Sequence, residues 1–361
     1  MSPSLALLLQ DTLAGITPLT PQCHAEGLRR LDRLTKPPGS LGRLEQIGAQ
    51  CYAITEGKLP VPMRKGAYLF AADHGVSVEG VSAYPSAVTA QMVHNFLTGG
   101  AAVNVLARLH DVTLTIVDVG VDAEFPDHPQ LWRLKVRRGS RNLRREPALC
   151  ASELEQALRI GIHAADDAAR RNLTVLAAGE MGIGNTTAAS AITAALTRMP
   201  PAAVTGSGTG IAQATRSLKQ RVIAEALARH LPIGDGEPHA PLEILRCLGG
   251  LEIAAMCGFF LGAARWRRII VVDGFIATTA AALAVALAPA AREYMIAGHR
   301  SEEPGHTHLL NHLGLAPLLE LEMRLGEGTG ALVAMPLVEA AVHLLAEMAT
   351  FESAGVSTAA P

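Results

Sequence analysis

A short apolar run that ends in a polar or glycine-rich turn and leads into a helical pattern recurs along this chain. That recurrence restricts the fold more than any other feature. "AYLFAADHGVSVEG" (67–80) is the first case, and "LTIVDVGVD" (114–122) is a strand-like run ending in Asp118. "LTVLAAGEMGIGNTTAASAITAAL" (173–196) reads as strand, glycine loop and helix. "IIVVDGFIATTAAALAVAL" (269–287) and "EYMIAGHRSEEPGHTHLLNHLG" (293–314) repeat the scheme. Strands buried on both faces appear as continuous apolar runs, and their alternation with helices implies a parallel sheet. The fold class is therefore α/β, doubly wound. Ligands of such sheets bind beyond the carboxyl ends of the strands. Here those ends carry Asp73, His74, Asp118, Glu180, Asp273, His299, Arg300 and Ser301, which predicts one cleft lined by these turns.

Residues 61–314 read as a large α/β domain carrying that cleft, while 1–60 and 315–361 show helical patterns and are expected to pack together as a small helical domain. In "TKPPGSLGRLE", Pro37-Pro38-Gly39 makes a turn and Ser40 can cap the next helix. The basic segment "LKVRRGSRNLRREPA" (134–148) reads as a solvated loop. With 49% hydrophobic and 18% charged residues, the 361-residue chain has the composition of a globular protein with a large core. A net charge of −2 gives no surface for a nucleic acid. The apolar run Gly274–Ala291 is mostly alanine and includes a proline, so it reads as a buried helix and not as a membrane span. The five cysteines form no Cys-x-x-Cys pair, and the start has no basic segment or cleavage site. Both point to a reduced, cytoplasmic protein.

"GEMGIGNTT" (179–187) is the most informative local stretch. Glycines let a ligand approach the backbone, and the helix that follows offers free N–H groups and a positive dipole end. Asn185, Thr186 and Thr187 add caps or hydroxyl donors. The stretch suits a phosphate, although it has neither a Walker lysine nor the Gly-x-Gly-x-x-Gly spacing; a plain glycine turn is the alternative. "TGSGTGI" (205–211) also suits a phosphate or ribose, with Lys219 two helical turns further on as a point charge, or it is a flexible turn. No serine sits in a nucleophile elbow, since the surroundings of Ser207 only mimic one. His299, His306, His308 and His312 invite a metal reading, but no His-Glu-x-x-His is present, and capping, packing or substrate contacts explain them equally well.

Glu327 stands between Gly326 and Gly328, ahead of an apolar helical pattern. Glycines on both sides allow a tight turn and leave the carboxylate uncrowded. A partly desolvated glutamate can serve as a general base near neutral pH. The alternative is an acidic first turn of a helix.

Taken together, "KPPGSLGRLE", "ADHGVSVEGVSAYPSAVTAQMV", "AAGEMGIGNTTAASAI", "TGSGTGI", "VDGFIATTAA", "AGHRSEEPGH" and "EMRLGEGTGALVAMPLVEAA" are far more specific than any one of them. In order and spacing the chain strongly resembles the nicotinate-nucleotide–dimethylbenzimidazole phosphoribosyltransferase family over roughly residues 20–350. The resemblance implies a Rossmann-like large domain with a small helical one, a homodimer, and no metal or redox cofactor. It implies transfer of phosphoribose from nicotinate mononucleotide to 5,6-dimethylbenzimidazole, which gives α-ribazole 5′-phosphate and nicotinate. It places the catalytic glutamate at Glu327, and since donor and product have opposite anomeric configurations, a single inverting displacement is expected. By position, Ser82, Tyr84, Gln91, Met181 and Leu325 line the benzimidazole slot. Glu180, Gly182, Gly184, Asn185, Thr186, Ser207, Gly208, Lys219 and Ser301 hold the phosphoribosyl side. Two other classes compete. A nucleotide carrier would need the glycine loops but not Glu327, and a metal-dependent hydrolase would use Asp73, His74, His299 and His306.

Overall fold

A computed structural model of the chain describes residues 3–206, 208, 212–232 and 239–357. Six parallel strands form its sheet: β1 (Lys65–Ala72), β2 (Val112–Gly120), β3 (Leu131–Arg133), β4 (Val175–Met181), β5 (Ile269–Val272) and β6 (Met295–Ala297). Their spatial order is β3-β2-β1-β4-β5-β6. Connections run one way from β1 to β3 and the other way from β4 to β6. The reversal falls between β1 and β4, where a doubly wound sheet opens a crevice for ligand. All residues of β1, β4, β5 and β6 are buried, as the unbroken apolar runs predict for strands covered on both faces.

Small residues bring the layers close. The helices Ala151–Arg170 and Leu251–Arg265 meet at backbone distance, because a Cβ at Gly161 would strike the carbonyl of Ala255 and one at Gly258 the carbonyl of Leu158. The apolar run at 274–291 forms the buried helix Phe275–Leu287. The helix Thr329–Glu347 is long and apolar enough to cross a membrane by length and composition. It packs against β4, β5 and the helix Arg43–Ile54 as part of the core.

Several local readings change. No helix follows β2; the chain instead forms the short β3, which three residues were too few to announce. The basic segment 134–148 is ion-paired and not merely solvated. Arg141 pairs with Glu153, and Arg144 reaches both Glu79 at 2.6 Å and Glu225 at 2.7 Å. Ser40 does not cap the helix Arg43–Ile54, whose N-cap is Gly42, and Leu41 N–H is taken by Glu45 instead. Helix is delayed on the C-terminal side until Thr329, since residues 321–326 form neither helix nor strand and 327–328 form a turn. The helices Pro21–Asp32, Arg43–Ile54 and Thr329–Glu347 share a small cluster of Leu31, Leu34, Ala49 and Leu345. The helix Pro3–Ala14 lies on Ala151–Arg170 and Leu251–Arg265.

Candidate active site

The carboxyl ends of β4, β5 and β6 converge on a cavity of about 100 Å³. Its wall includes Glu180, Met181, Gly182, Asn185, Thr186 and Gly208, with Asp273, His299, Ser301, Glu303, Arg324 and Leu325 opposite. That volume takes a single ring, against roughly 300–1,000 Å³ for an ordinary ligand pocket, so two substrates would extend past it. Larger open clefts of about 510 and 720 Å³ lie elsewhere and carry none of the residues singled out in the sequence. Asp73, His74 and Asp118 also end strands but are not in this wall. Lys135 occupies Asp118 at 2.7 Å, Asp122 N–H is received by Asp73, and His74 pairs with buried Glu252 at 2.6 Å.

Glu327 follows directly on the lining residues Leu325 and Gly326, is 5% exposed, and has a carboxyl oxygen without a partner. Gly326, Glu327 and Gly328 all have left-handed backbone, with φ of 82°, 62° and 84°. For a glutamate that conformation costs about 1–2 kcal/mol, and three neighbours, Asp273, Glu180 and Gly179, hold it. Gly328 N–H and Ala331 N–H both donate to the Asp273 carboxylate at 3.0 Å. Glu327 N–H donates to Glu180 at 3.4 Å. The third is steric: a Cβ at Gly179 would lie 2.5 Å from the Glu327 carbonyl, so glycine in β4 lets the turn rest on the strand. The motifs "AAGEM" and "LGEGTG" are two halves of one joint.

Burial and neighbouring negative charge disfavour the ionised forms of Glu327 and Glu180. Burial pushes Glu327 up to about 7, and the charge of Asp273 adds to the shift. Burial, followed by the charges of Asp273, Glu252 and Glu327, pushes Glu180 up to about 8. Asn185 donates its side-chain amide to Glu180.

On the phosphoribosyl side, Lys219 reaches Thr186 Oγ1 at 2.8 Å although it lies on another helix, Gln213–His230. Its burial lowers the ammonium to about 8, and the charge of Glu303 opposes that drop. Glu303 receives Gly208 N–H at 2.7 Å. The helix after the glycine loop starts at Asn185, with left-handed Gly184 as N-cap and no side-chain cap. Asn185 and Thr186 thus serve Glu180 and Lys219, where the sequence suggested caps. Ser207 lies outside the described residues.

Met181 and Leu325 line the cavity; Ser82, Tyr84 and Gln91 do not. Tyr84 is 52% exposed, and Gln91 sits on the exposed side of the helix Ala87–Leu97. That helix is nevertheless tied to the wall, since Thr89 Oγ1 accepts Ile183 N–H at 3.1 Å. Asp273 lines the cleft as its strand-end position predicted, though no substrate role was given to it, and Glu303 was missed as a site residue. The signal for both was available in "VDGFIATT" and "HRSEEPGH", where a carboxylate follows or adjoins a strand end. Among the described residues no three His, Cys, Asp or Glu side chains gather as a metal-binding set. His306 is held by Thr278 and Ser301.

A family model described as Phosphoribosyltransferase matches residues 16–356. The chain is 50% identical over 350 residues to the nicotinate-nucleotide–dimethylbenzimidazole phosphoribosyltransferase of Chloroflexus aggregans, covering 97% of this chain and 98% of that protein. It is 49% identical to the protein of the same name from Thermus thermophilus, over 94% of this chain and 99% of that one. The crystal structure of CobT from Thermus thermophilus superposes with a TM-score of 0.90 at 48% identity, over 94% of this chain and 100% of that one.

Proposed function

We propose that this chain, which belongs to the nicotinate-nucleotide–dimethylbenzimidazole phosphoribosyltransferase family, uses Glu327 as the proton acceptor of its reaction. The enzyme transfers phosphoribose from nicotinate mononucleotide to 5,6-dimethylbenzimidazole. The products are α-ribazole 5′-phosphate and nicotinate, in the branch of cobalamin biosynthesis that builds the nucleotide loop. One benzimidazole nitrogen attacks the ribose anomeric carbon, and the bond to nicotinate breaks with its electron pair going to the pyridine nitrogen. Positive charge builds on the benzimidazole, whose second nitrogen gives its proton to Glu327. The observation that carries this reading is the buried, singly unpartnered Glu327 carboxyl held in a strained turn by Asp273 and Glu180. A base whose affinity for protons lies near neutrality is matched to that task, and such catalysis contributes about 10²–10⁴-fold.

The displacement inverts the anomeric centre in one step, so no sugar–enzyme bond forms. Met181 and Leu325 face the flat base, with Ser82, Tyr84 and Gln91 on its approach. Gly182, Gly184, Thr186, Gly208 and Lys219 hold the phosphoribosyl group, together with Ser207 and Ser301; Asn185 acts through Glu180. Within the flanks 1–60 and 315–361, the small helical domain centres on the helices Pro21–Asp32 and Arg43–Ile54, a reading supported by the separate cluster of Leu31, Leu34, Ala49 and Leu345, while Pro3–Ala14 and much of Thr329–Glu347 pack on the large domain. The protein acts as a cytoplasmic homodimer without metal. The test is nicotinate release from nicotinate mononucleotide, with and without dimethylbenzimidazole, in the presence of EDTA. Release that requires the base and ignores the chelator is expected. Release without the base, or its loss with EDTA, would overturn the reading.

A further inference from the structure

His74 follows β1 by two residues, with its side chain completely enclosed and outside the cavity wall. Its ring is wedged between two glycine stretches. A Cβ at Gly182 would come within 3.3 Å of the imidazole Cδ2, and one at Gly184 within 3.2 Å of the His74 Cβ. Further round the ring, a Cβ at Gly250 would fall 2.2 Å from Cε1. Gly250 is the N-cap of the helix Leu251–Arg265, whose first turn carries Glu252. The helix dipole favours a negative charge there. The Glu252 side chain is also completely enclosed and meets His74 Nε2 at 2.6 Å. A carboxylate can only accept, so Nε2 is the donor. His74 Nδ1 and Glu252 Oε2 have no partner. A buried pair of this kind is no more stabilising than an apolar pair of similar bulk, so filling the space does not by itself call for these two residues. What they add over leucines is direction. The hydrogen bond fixes the angle of the ring, and the ring bears on the loop at Gly182 and Gly184. The charge of Glu252 also reaches Glu180, which puts the pair within electrostatic reach of the wall.

We propose that His74 and Glu252 are positioning residues of the phosphoribosyl site: their hydrogen bond holds the imidazole as a wedge that sets where the loop at Gly182 and Gly184 presents its backbone to the nucleotide. A second element holds the same loop, since Thr89 Oγ1 accepts Ile183 N–H at 3.1 Å. Neither His74 nor Glu252 touches substrate. The loop meets the phosphoribosyl group in the ground state and the transition state alike, so loosening it weakens nucleotide binding and leaves turnover in place. The inference rests on the assignment of that loop to the phosphoribosyl group above.

Three variants test it, each with kcat, both Michaelis constants and a melting curve. Gly250→Ala displaces the ring, since a φ of −151° accepts alanine while the new Cβ collides with Cε1. His74→Leu/Glu252→Leu keeps the bulk, removes the hydrogen bond, and should fold because an apolar pair replaces a buried polar one. His74→Gln keeps an amide N–H for Glu252. Gly250→Ala and the double variant should each raise the Michaelis constant for nicotinate mononucleotide about tenfold, the scale of one hydrogen bond. In both, kcat and the constant for dimethylbenzimidazole should stay within about twofold of wild type. His74→Gln should fall well short of that rise. An unchanged nucleotide constant in either folded disruption, a shift of all three constants in step with the melting temperature, or a double variant that does not fold would overturn the proposal and leave the transferase reading intact. Failure of the wild type to release nicotinate would overturn both.

Discussion

Glu180 receives the main-chain N–H of Glu327 at 3.4 Å, so the second carboxylate of the site holds the first by its backbone and leaves its side chain free. Asp273 does the same one residue later, at Gly328. Such contacts fix the position of a base without neutralising it, which a salt bridge would do.

Replacing Glu327 by Gln keeps the shape and removes the proton acceptor. Steady-state turnover should fall by at least about 10²-fold, the lower end for losing a general base. The Michaelis constant for dimethylbenzimidazole should change little, because Met181 and Leu325 remain in the wall. Near-normal turnover in a folded variant would move the acceptor to Glu180.

The same variant should be more stable than wild type in mild alkali. Glu327 is raised in the fold from 4.5 to about 7, so the fold favours its neutral form. Its carboxylate costs nothing below the unfolded value, costs more as the pH rises from 4.5 to 7, and costs a constant amount above that. The shift corresponds to about 3 kcal/mol at pH 8. Melting curves of Glu327→Gln and wild type should diverge by a few degrees at pH 8 and converge at pH 4.5. A variant less stable at pH 8 would mark Glu327 as a structural cap.

The pH profile should have two limbs with separate origins. kcat/KM should rise as Glu327 ionises near 7. The Michaelis constant for the nucleotide should climb above about 8, where Lys219 loses its proton. Lys219→Met retains the bulk in this buried position; it should raise that constant by about tenfold and abolish the alkaline rise. An alkaline limb unchanged in Lys219→Met would assign it to another group.

The glycines of the joint admit no side chain. In Gly179→Ala the new Cβ would lie 2.5 Å from the Glu327 carbonyl and push the turn off β4. A displacement of about 1 Å costs on the order of 10²-fold in rate, so kcat should drop with the sheet intact by circular dichroism. Gly326→Ala adds a left-handed alanine beside the Glu180 carboxyl and should also lower the melting temperature. Full activity in Gly179→Ala would mean that the turn does not need the strand.

Much of the architecture was legible in the chain itself. Strands buried on both faces are predominantly apolar, and those at β1, β2, β4, β5 and β6 are, with polar residues such as Asp118 and Glu180 near their carboxyl ends, so their place and parallel pairing followed from composition along the chain. The glycine pairs around Glu327 and in 179–184 announced turns that only small residues can make. Partnership was not legible. Lys219 finds Thr186 33 positions away, and Glu303 finds Gly208 95 positions away. Asp273 meets the 327 turn only because β4 and β5 are neighbours in the sheet. Hydrogen bonds need direction and distance, and these are set when distant segments pack. Sequence spacing therefore identified a carboxylate free to react, while the tertiary fold decided that Asp273 would lie beside Glu327 and Glu180 and raise the proton affinity of both glutamates.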